Sequence, residues 1–433
     1  MKSKILAIFI ILSLIVSYTI KINATNQKDI LNTEKLGDIN LIDTGEIEDD
    51  DEEVDINEIL ETVADIEELE IESKIALIYD RASGNILYEK NGNKQTPMAS
   101  TTKIMTAIVV LENSNLSDVV TIDSKAAGTG GSRLGLKKND KITVNDLLYG
   151  LMLRSGNDAA VALANYVGGS IQGFASMMNN KAKELGLANS HFVVPHGLDN
   201  DGHYTTAYEL AKMADYALKI DKFKEIVSTK STTISINGYP KAINNTNQLL
   251  GSIAGVYGVK TGFTNGAGRC LVSACERDDL DIITVIIGAD TTNQRTADTI
   301  KLINYAYNNF EIVNIKEIIE NEFYMWEEIN CGRIYVNKGV EKELELLLEE
   351  IPYEKMAVEK EENIEIEVDS LFYLEAPVEA NQIIGNVKVK RSGEVIEVLD
   401  IVVQKGIKKK EIEDYLIIFA RRLLDGIDYK NII

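Results

Sequence analysis

Thr96-Pro97-Met98-Ala99-Ser100-Thr101-Thr102-Lys103-Ile104-Met105-Thr106-Ala107-Ile108-Val109-Val110-Leu111 is the stretch on which the reading of this chain turns. Proline followed by an apolar run without glycine predicts a helix entered at its first turn, the position where proline is tolerated. A spacing of three then puts Ser100 and Lys103 on one face, within reach of each other. Ile104, Ala107, Ile108 and Leu111 continue the same stripe, so the helix should be buried and carry the pair inward. Burial disfavours an ammonium, and a second cation such as Lys260 would push the same way. A neutral Lys103 could take the Ser100 proton, the activation a serine nucleophile requires. The free N–H groups at a helix start also suit a developing oxyanion. A serine near a helix start with a solvated lysine three residues on would look the same, so the motif does not stand by itself.

Two further elements follow it. The apolar runs Leu147–Leu153 and Ala159–Ala164 read as helices broken by Arg154-Ser155-Gly156-Asn157-Asp158, which is turn chemistry. Asn157 or Asp158 could simply cap the second helix; alternatively Ser155 and Asn157 enter a cleft beside Ser100. Gly255 to Phe263 approaches a strand, and the stretches 267–274 and 281–288 predict a two-stranded hairpin. A lysine on an edge strand commonly guards against aggregation. Here Lys260 and Thr261 also offer a cation and a hydroxyl suited to a carboxylate, beside a Gly262 that permits close approach of a ligand backbone. No other serine has lysine three places on, and Lys-Thr-Gly occurs once; Ser-x-Asn recurs at Ser83 and Ser235, so the weight rests on the ordered trio.

Ser100-x-x-Lys103, Ser155-x-Asn157 and Lys260-Thr261-Gly262 together resemble the penicillin-recognising serine acyl-transferases. Ala76-Leu77-Ile78-Tyr79-Asp80, the stretch from Ser83 to Asn91 and Pro195-His196-Gly197-Leu198-Asp199 narrow the likeness to the D-alanyl-D-alanine carboxypeptidases. These are the low-molecular-mass penicillin-binding proteins of serine peptidase family S11. The resemblance implies an α/β (α+β) fold, an antiparallel sheet flanked by helices with a helical subdomain between Ser100 and Lys260, and then a small β-sandwich-like domain. It implies a substrate, the peptidoglycan stem peptide ending in D-Ala-D-Ala, and covalent inhibition by β-lactams. Ser100 would attack the carbonyl between the two D-alanines, Lys103 act as general base, and Ser155 relay a proton to the leaving D-alanine. Asn157 would hold the substrate amide, Lys260 would organise Ser155, and Thr261 would grip the terminal carboxylate. The N–H groups of Ser100 and Phe263 would form the oxyanion hole, with Gly262 between. Arg295, just before a helix-like run from Thr296 to Tyr307, stands where the family has a carboxylate-steering arginine; a solvated helix-start arginine is the other reading.

The 433 residues suffice for two or three domains. Residues 1–24 have the pattern of a signal peptide, a basic start, an apolar run from Ile5 to Ile20 and a cleavage site after Ala24, which predicts export. Residues 25–70 form an acidic extension, 71–310 the catalytic domain, 311–406 a β-rich domain and 407–433 a terminal amphipathic helix. Of the net charge of −23, fifteen negative charges lie between Glu46 and Glu72, leaving −8 elsewhere. Ile56, Ile59, Leu60, Val63 and Ile66 have helical spacing within that acidic run, but self-repulsion favours a solvated linker. The charge argues against nucleic-acid binding.

Cys270, Cys275 and Cys331 read as free thiols, the first two on opposite faces of one strand. Neither they nor His191, His196 and His203 have metal-ligand spacing, so no metal or cofactor is expected. In the last segment, Ile412, Tyr415, Leu416, Phe419, Leu423 and Ile427 share a face behind Lys408-Lys409-Lys410, which suits a membrane surface; packing on the β-rich domain is the alternative.

A β-lactamase, a D,D-endopeptidase and a catalytically idle wall-binding module remain open. A class A β-lactamase needs a deacylating glutamate, and the nearest candidate, Glu184 in Glu184-Leu185-Gly186-Leu187-Ala188-Asn189, has the wrong spacing.

Overall fold

The computed structural model describes residues 54–63 and 69–425. The signal-peptide region, most of the acidic run before Val54, Ile66, and Ile427 lie outside the described residues. Strands β1 (Ile75–Asp80) and β2 (Ile86–Lys90) precede the nucleophile segment. Helices α2 (Lys103–Asn113), α3 (Val144–Leu153), α4 (Asn157–Gly168), α5 (Ile171–Glu184) and α6 (Ala207–Leu218) follow it. Then come β3 (Val256–Thr264), β4 (Gly268–Arg277) and β5 (Leu280–Ala289). These strands form one antiparallel sheet in the order β2-β1-β5-β4-β3, so β3, which carries Lys260, is an edge strand.

Both faces of this sheet are covered, which is why β1 reads as a continuous apolar run and all six of its residues are buried. Ile75, Leu77 and Tyr79 join the core with the helices from α2 to α6, while Ala76 and Ile78 face the other side. Cys270 and Cys275 divide in the same way, as their spacing requires, and all three cysteines are free. Helix α7 (Thr292–Asn309) covers the second face with Ile300, Leu302, Ile303 and Ala306.

The acidic extension departs from expectation. Residues Ile56–Val63 are not a solvated linker but a helix, α1, started by Asp55, whose Oδ1 accepts the N–H groups of Asn57 and Glu58 at 3.0 and 3.3 Å. Its apolar side, Ile59 and Val63, is buried in the cluster that also holds the α7 side chains, and its acidic side faces outward. The surface that receives this helix includes the chain's own sheet-covering helix α7. Burying two aliphatic side chains, at roughly 1.5–3 kcal/mol each, outweighs the repulsion among exposed carboxylates. The chain then enters β1 past Asp298, whose Oδ2 accepts the Ser73 amide and hydroxyl at 2.7 and 2.6 Å.

Beyond Phe310 the chain forms α8 (Ile315–Asn330) and a four-stranded antiparallel sheet. Its strands are β6 (Leu346–Leu348), β7 (Ile364–Ser370), β8 (Ile383–Arg391) and β9 (Glu394–Val403), in the order β6-β9-β8-β7. The β8–β9 turn is Ser392-Gly393, both at positive φ (50° and 83°), the geometry of a two-residue hairpin. Helix α8, absent from the β-rich expectation, buries Ile315, Ile319 and Phe323 in the third core. Helix α9 (Ile412–Asp425) ends the described chain with Ile412, Tyr415, Leu416, Ile417, Phe419 and Leu423 exposed, so these side chains are not packed on the β-rich region.

Because α1 is held by few residues, Ile59→Ala should free it locally before anything else unfolds. A large-to-small core change costs about 2–5 kcal/mol, so amide exchange over residues 56–63 should accelerate by at least about thirty-fold while β4 and β5 keep their protection. Hydrogen-exchange mass spectrometry reads both; unchanged exchange over 56–63 would contradict the docking.

Candidate active site

Ser100 does not lie on the α-helix that the sequence suggested. Ala99–Thr102 form a 3₁₀ turn, and the α-helix begins at Lys103. The reason is tertiary: Ala99 sits at φ 48°, and its carbonyl presses on Gly197, where a Cβ would lie 1.8 Å from Ala99 O. Only glycine, at φ +89°, admits that contact. The turn is tied further by Thr102, whose Oγ1 donates to Ala99 O at 2.8 Å and lies 2.8 Å from His203 Nε2. Burial, helped by His191, lowers the His203 pKa to about 3, so the ring is neutral. Its Nδ1 accepts the Val193 amide at 3.1 Å, which leaves the hydrogen on Nε2 and directs it to Thr102. Sequence reading missed Gly197, His203 and Ala99; the Pro-His-Gly-Leu stretch was the only visible signal.

Lys103 is fully buried, while Ser100 is half-buried and therefore reachable. Its Nζ lies 2.7 Å from Ser100 Oγ, 2.7 Å from Asn157 Oδ1 and 2.8 Å from His196 O. Desolvation first, and then the nearby Lys260 charge, hold the Lys103 pKa well below 10.5, against a smaller opposing pull from Asp158. A neutral amine has two hydrogens and one lone pair. Asn157 Oδ1 and the His196 carbonyl can only accept, so they take both hydrogens. The lone pair is then left for the Ser100 hydroxyl. The Asn157 amide cannot be reversed, because its Nδ2 donates to Gly130 O at 2.8 Å.

Asn157 and Asp158 are not caps. They are the first residues of α4, which Gly156 caps, and the break from α3 is shorter than the sequence implied. The buried Asp158 carboxylate accepts the N–H groups of Leu134, Gly135 and Leu136 at 2.8, 2.8 and 2.9 Å. It thereby fixes the loop whose Gly130 carbonyl orients Asn157. Ser155, two residues earlier, is buried at φ 55°.

The third element arrives on β3. A Cβ on Gly262 would stand 2.8 Å from the Ser100 amide nitrogen and 3.2 Å from that of Thr101, so glycine lets the edge strand close on the nucleophile turn. Lys260 and Thr261 are both buried; Lys260 Nζ donates to Thr261 O at 2.9 Å, and Thr261 Oγ1 lies 2.7 Å from Thr246 Oγ1. Phe263 is half-buried, with the Arg269 guanidinium 4.8 Å over its ring. Arg295 is 2 % exposed, in the first turn of α7 and not in solvent ahead of it.

A buried amine with its lone pair turned to an accessible serine hydroxyl is the geometry that lysine-assisted activation of a serine requires. The family description "D-alanyl-D-alanine carboxypeptidase" matches residues 62–291, and "Penicillin-binding protein 5, C-terminal domain" matches residues 327–409. The chain is 33% identical over 350 residues to D-alanyl-D-alanine carboxypeptidase DacF of Bacillus subtilis, covering 79% of this chain and 87% of that one. It is 32% identical to DacC of Escherichia coli, over 79% of this chain and 86% of the relative. Penicillin-binding protein 5 from Haemophilus influenzae superposes with a TM-score of 0.64 at 27% identity, over 79% of this chain and all of that one. The chain belongs to the D-alanyl-D-alanine carboxypeptidase family.

Removing the Lys260 charge should raise the Lys103 pKa, since a like charge is one of the two causes that depress it. A lysine acts as a base only when neutral, so an activity that depends on Lys103 as base would fall as pH drops through that pKa. Lys260→Gln should therefore move the acidic limb of the penicillin acylation rate to higher pH, beyond any uniform loss. A limb that stays in place while the plateau drops would show that Lys260 does not act through Lys103.

Proposed function

We propose that the protein removes the terminal D-alanine from peptidoglycan stem pentapeptides through an acyl-enzyme on Ser100. The observation that carries this reading is the buried Lys103 Nζ held 2.7 Å from Ser100 Oγ by two acceptor-only partners. Lys103 takes the hydroxyl proton as Oγ attacks the carbonyl carbon between the two D-alanines. The oxyanion forms against the N–H groups of Ser100 and Phe263. Ser155 passes its proton to the departing D-alanine nitrogen and takes the one held by the Lys103 ammonium, so the C–N bond breaks and Lys103 is neutral again. Water, deprotonated by Lys103, then cleaves the ester and returns Ser100.

Asn157 keeps one Nδ2 hydrogen beyond the one given to Gly130, enough to hold a substrate carbonyl. Lys260, Thr261 and Arg295 serve the terminal carboxylate, and Gly262 admits the substrate backbone. Residues 71–310 carry the chemistry; 311–406 are the β-rich domain. Against the β-lactamase reading, its nearest candidate base, Glu184, is 62% exposed and paired with Lys181 Nζ at 2.8 Å. Brief exposure to benzylpenicillin should therefore leave a long-lived adduct on Ser100, seen by mass spectrometry and abolished by Ser100→Ala. Rapid penicillin turnover without an adduct would refute the assignment.

We infer also that the chain is exported by residues 1–24, works in the cell-wall space and rests on the membrane surface through 407–433. Among the described residues no helix is long and apolar enough to cross a membrane. What supports surface attachment is that Ile412, Leu416, Phe419 and Leu423 of α9 are all more than half exposed behind three consecutive lysines. The acidic residues Glu413, Asp414, Asp425 and Asp428 oppose it. Deleting residues 408–433 should move the protein from the membrane to the soluble fraction with its activity on a free pentapeptide retained. Continued sedimentation with membranes would place the attachment elsewhere.

A further inference from the structure

Thr261 does not meet the substrate alone, because its hydroxyl is 2.7 Å from that of Thr246, a residue outside the three motifs. Thr246 lies in the segment Asn245-Thr246-Asn247, which runs beside β3 and is braced along its length. The Thr246 amide donates to the carbonyl of Leu153, two residues before Ser155, at 3.1 Å. Asn245 Nδ2 donates to the carbonyls of Val227 and Thr229 at 3.3 and 3.1 Å, and Asn247 Nδ2 to that of Gly258 at 3.0 Å. Asn247 also ties itself to Asn245 through its amide at 2.9 Å. The Thr246 hydroxyl is thus fixed with respect to both the second and the third motif, and both threonines are buried.

The direction of this hydroxyl pair follows from what Thr261 must do, and the argument rests on reading Thr261 as the group that grips the terminal carboxylate. A carboxylate has no hydrogen to give, so Thr261 must donate to it. The Thr261 oxygen is then available to Thr246 only as an acceptor, and Thr246 must be the donor. We propose that Thr246 is a positioning residue for substrate carboxylates, its hydroxyl donating to Thr261 so that the Thr261 hydrogen points at the ligand. Without it, the Thr261 hydroxyl is free to rotate and loses the polarisation that a donor chain supplies.

The test compares a peptide ending in free D-Ala-D-Ala with the same peptide amidated at its C-terminus, by kcat/KM on the full chain. The wild type should favour the free acid. Thr246→Val, which keeps shape and loses the hydroxyl, should reduce that preference about three- to ten-fold, chiefly through KM, the size of one net hydrogen bond. Thr246→Ser should restore it. If the valine variant does not fold by thermal melting, Thr246→Ala supplies the same comparison. A wild type that treats both peptides alike overturns the carboxylate reading of Thr261 and the proposal with it. A wild type that discriminates, with a hydroxyl-free variant that discriminates equally, overturns the proposal alone. Equal losses for the serine and valine variants would also overturn it, since packing and not the hydroxyl would then be responsible.

Discussion

An amine buried in a protein must be neutral or compensated, and the catalytic half of this molecule is organised around that constraint at Lys103. Its three neighbours come from three parts of the chain: Ser100 from the preceding turn, Asn157 from α4 and the His196 carbonyl from a loop. Two of them can only accept, and this fixes the amine's lone pair on the third. The direction of the lone pair toward Ser100 is therefore a consequence of how the amine's valences are satisfied. The fold bears a stability cost for it: a lysine whose folded pKa lies below its unfolded value binds fewer protons when folded. This contribution is accordingly least favourable at low pH and recovers as pH rises.

The remaining architecture brings backbone close to that amine without filling its space. Edge strand β3 can reach the nucleophile turn because Gly262 has no Cβ to meet the Ser100 and Thr101 amides, and the loop at Gly197 closes from the other side for the same reason. An edge strand is also the only kind that keeps one row of backbone groups unpaired by a neighbouring strand, which an extended peptide substrate requires.

How much of this was legible follows from the range of each interaction. Ser100, Lys103 and their burial could be read because a spacing of three and an apolar stripe are local. The hairpin after Gly262 was visible for the same reason. The 3₁₀ turn was not, because Ala99 is held by Gly197 and by the Thr102–His203 pair, roughly a hundred residues away in sequence. Asp158 looked like a cap because its true partners, the amides of 134–136, precede it by more than twenty positions. The helical period of 56–63 was plain, but periodicity does not name the surface that receives it, and the acidic composition pointed to solvent. Arg295 was misplaced by a few residues since helix α7 starts at polar Thr292, before any apolar stripe announces it.

Asp158 shows how the same fold prevents its own charges from undoing the site. A carboxylate this near would, unscreened, favour a protonated Lys103 and disable it as a base. It is buried, so water cannot screen it. Instead the amides of Leu134, Gly135, Leu136 and its own neighbour Ala159 all point their hydrogens at its two oxygens. Four aligned N–H dipoles offset much of the negative field on the Lys103 side, and Lys260 adds a positive charge there. Desolvation and then the Lys260 charge, which lower the Lys103 pKa, outweigh the opposing pull of Asp158. The carboxylate can therefore shape the 130–136 loop, and through Gly130 orient Asn157, while the amine it indirectly positions stays neutral.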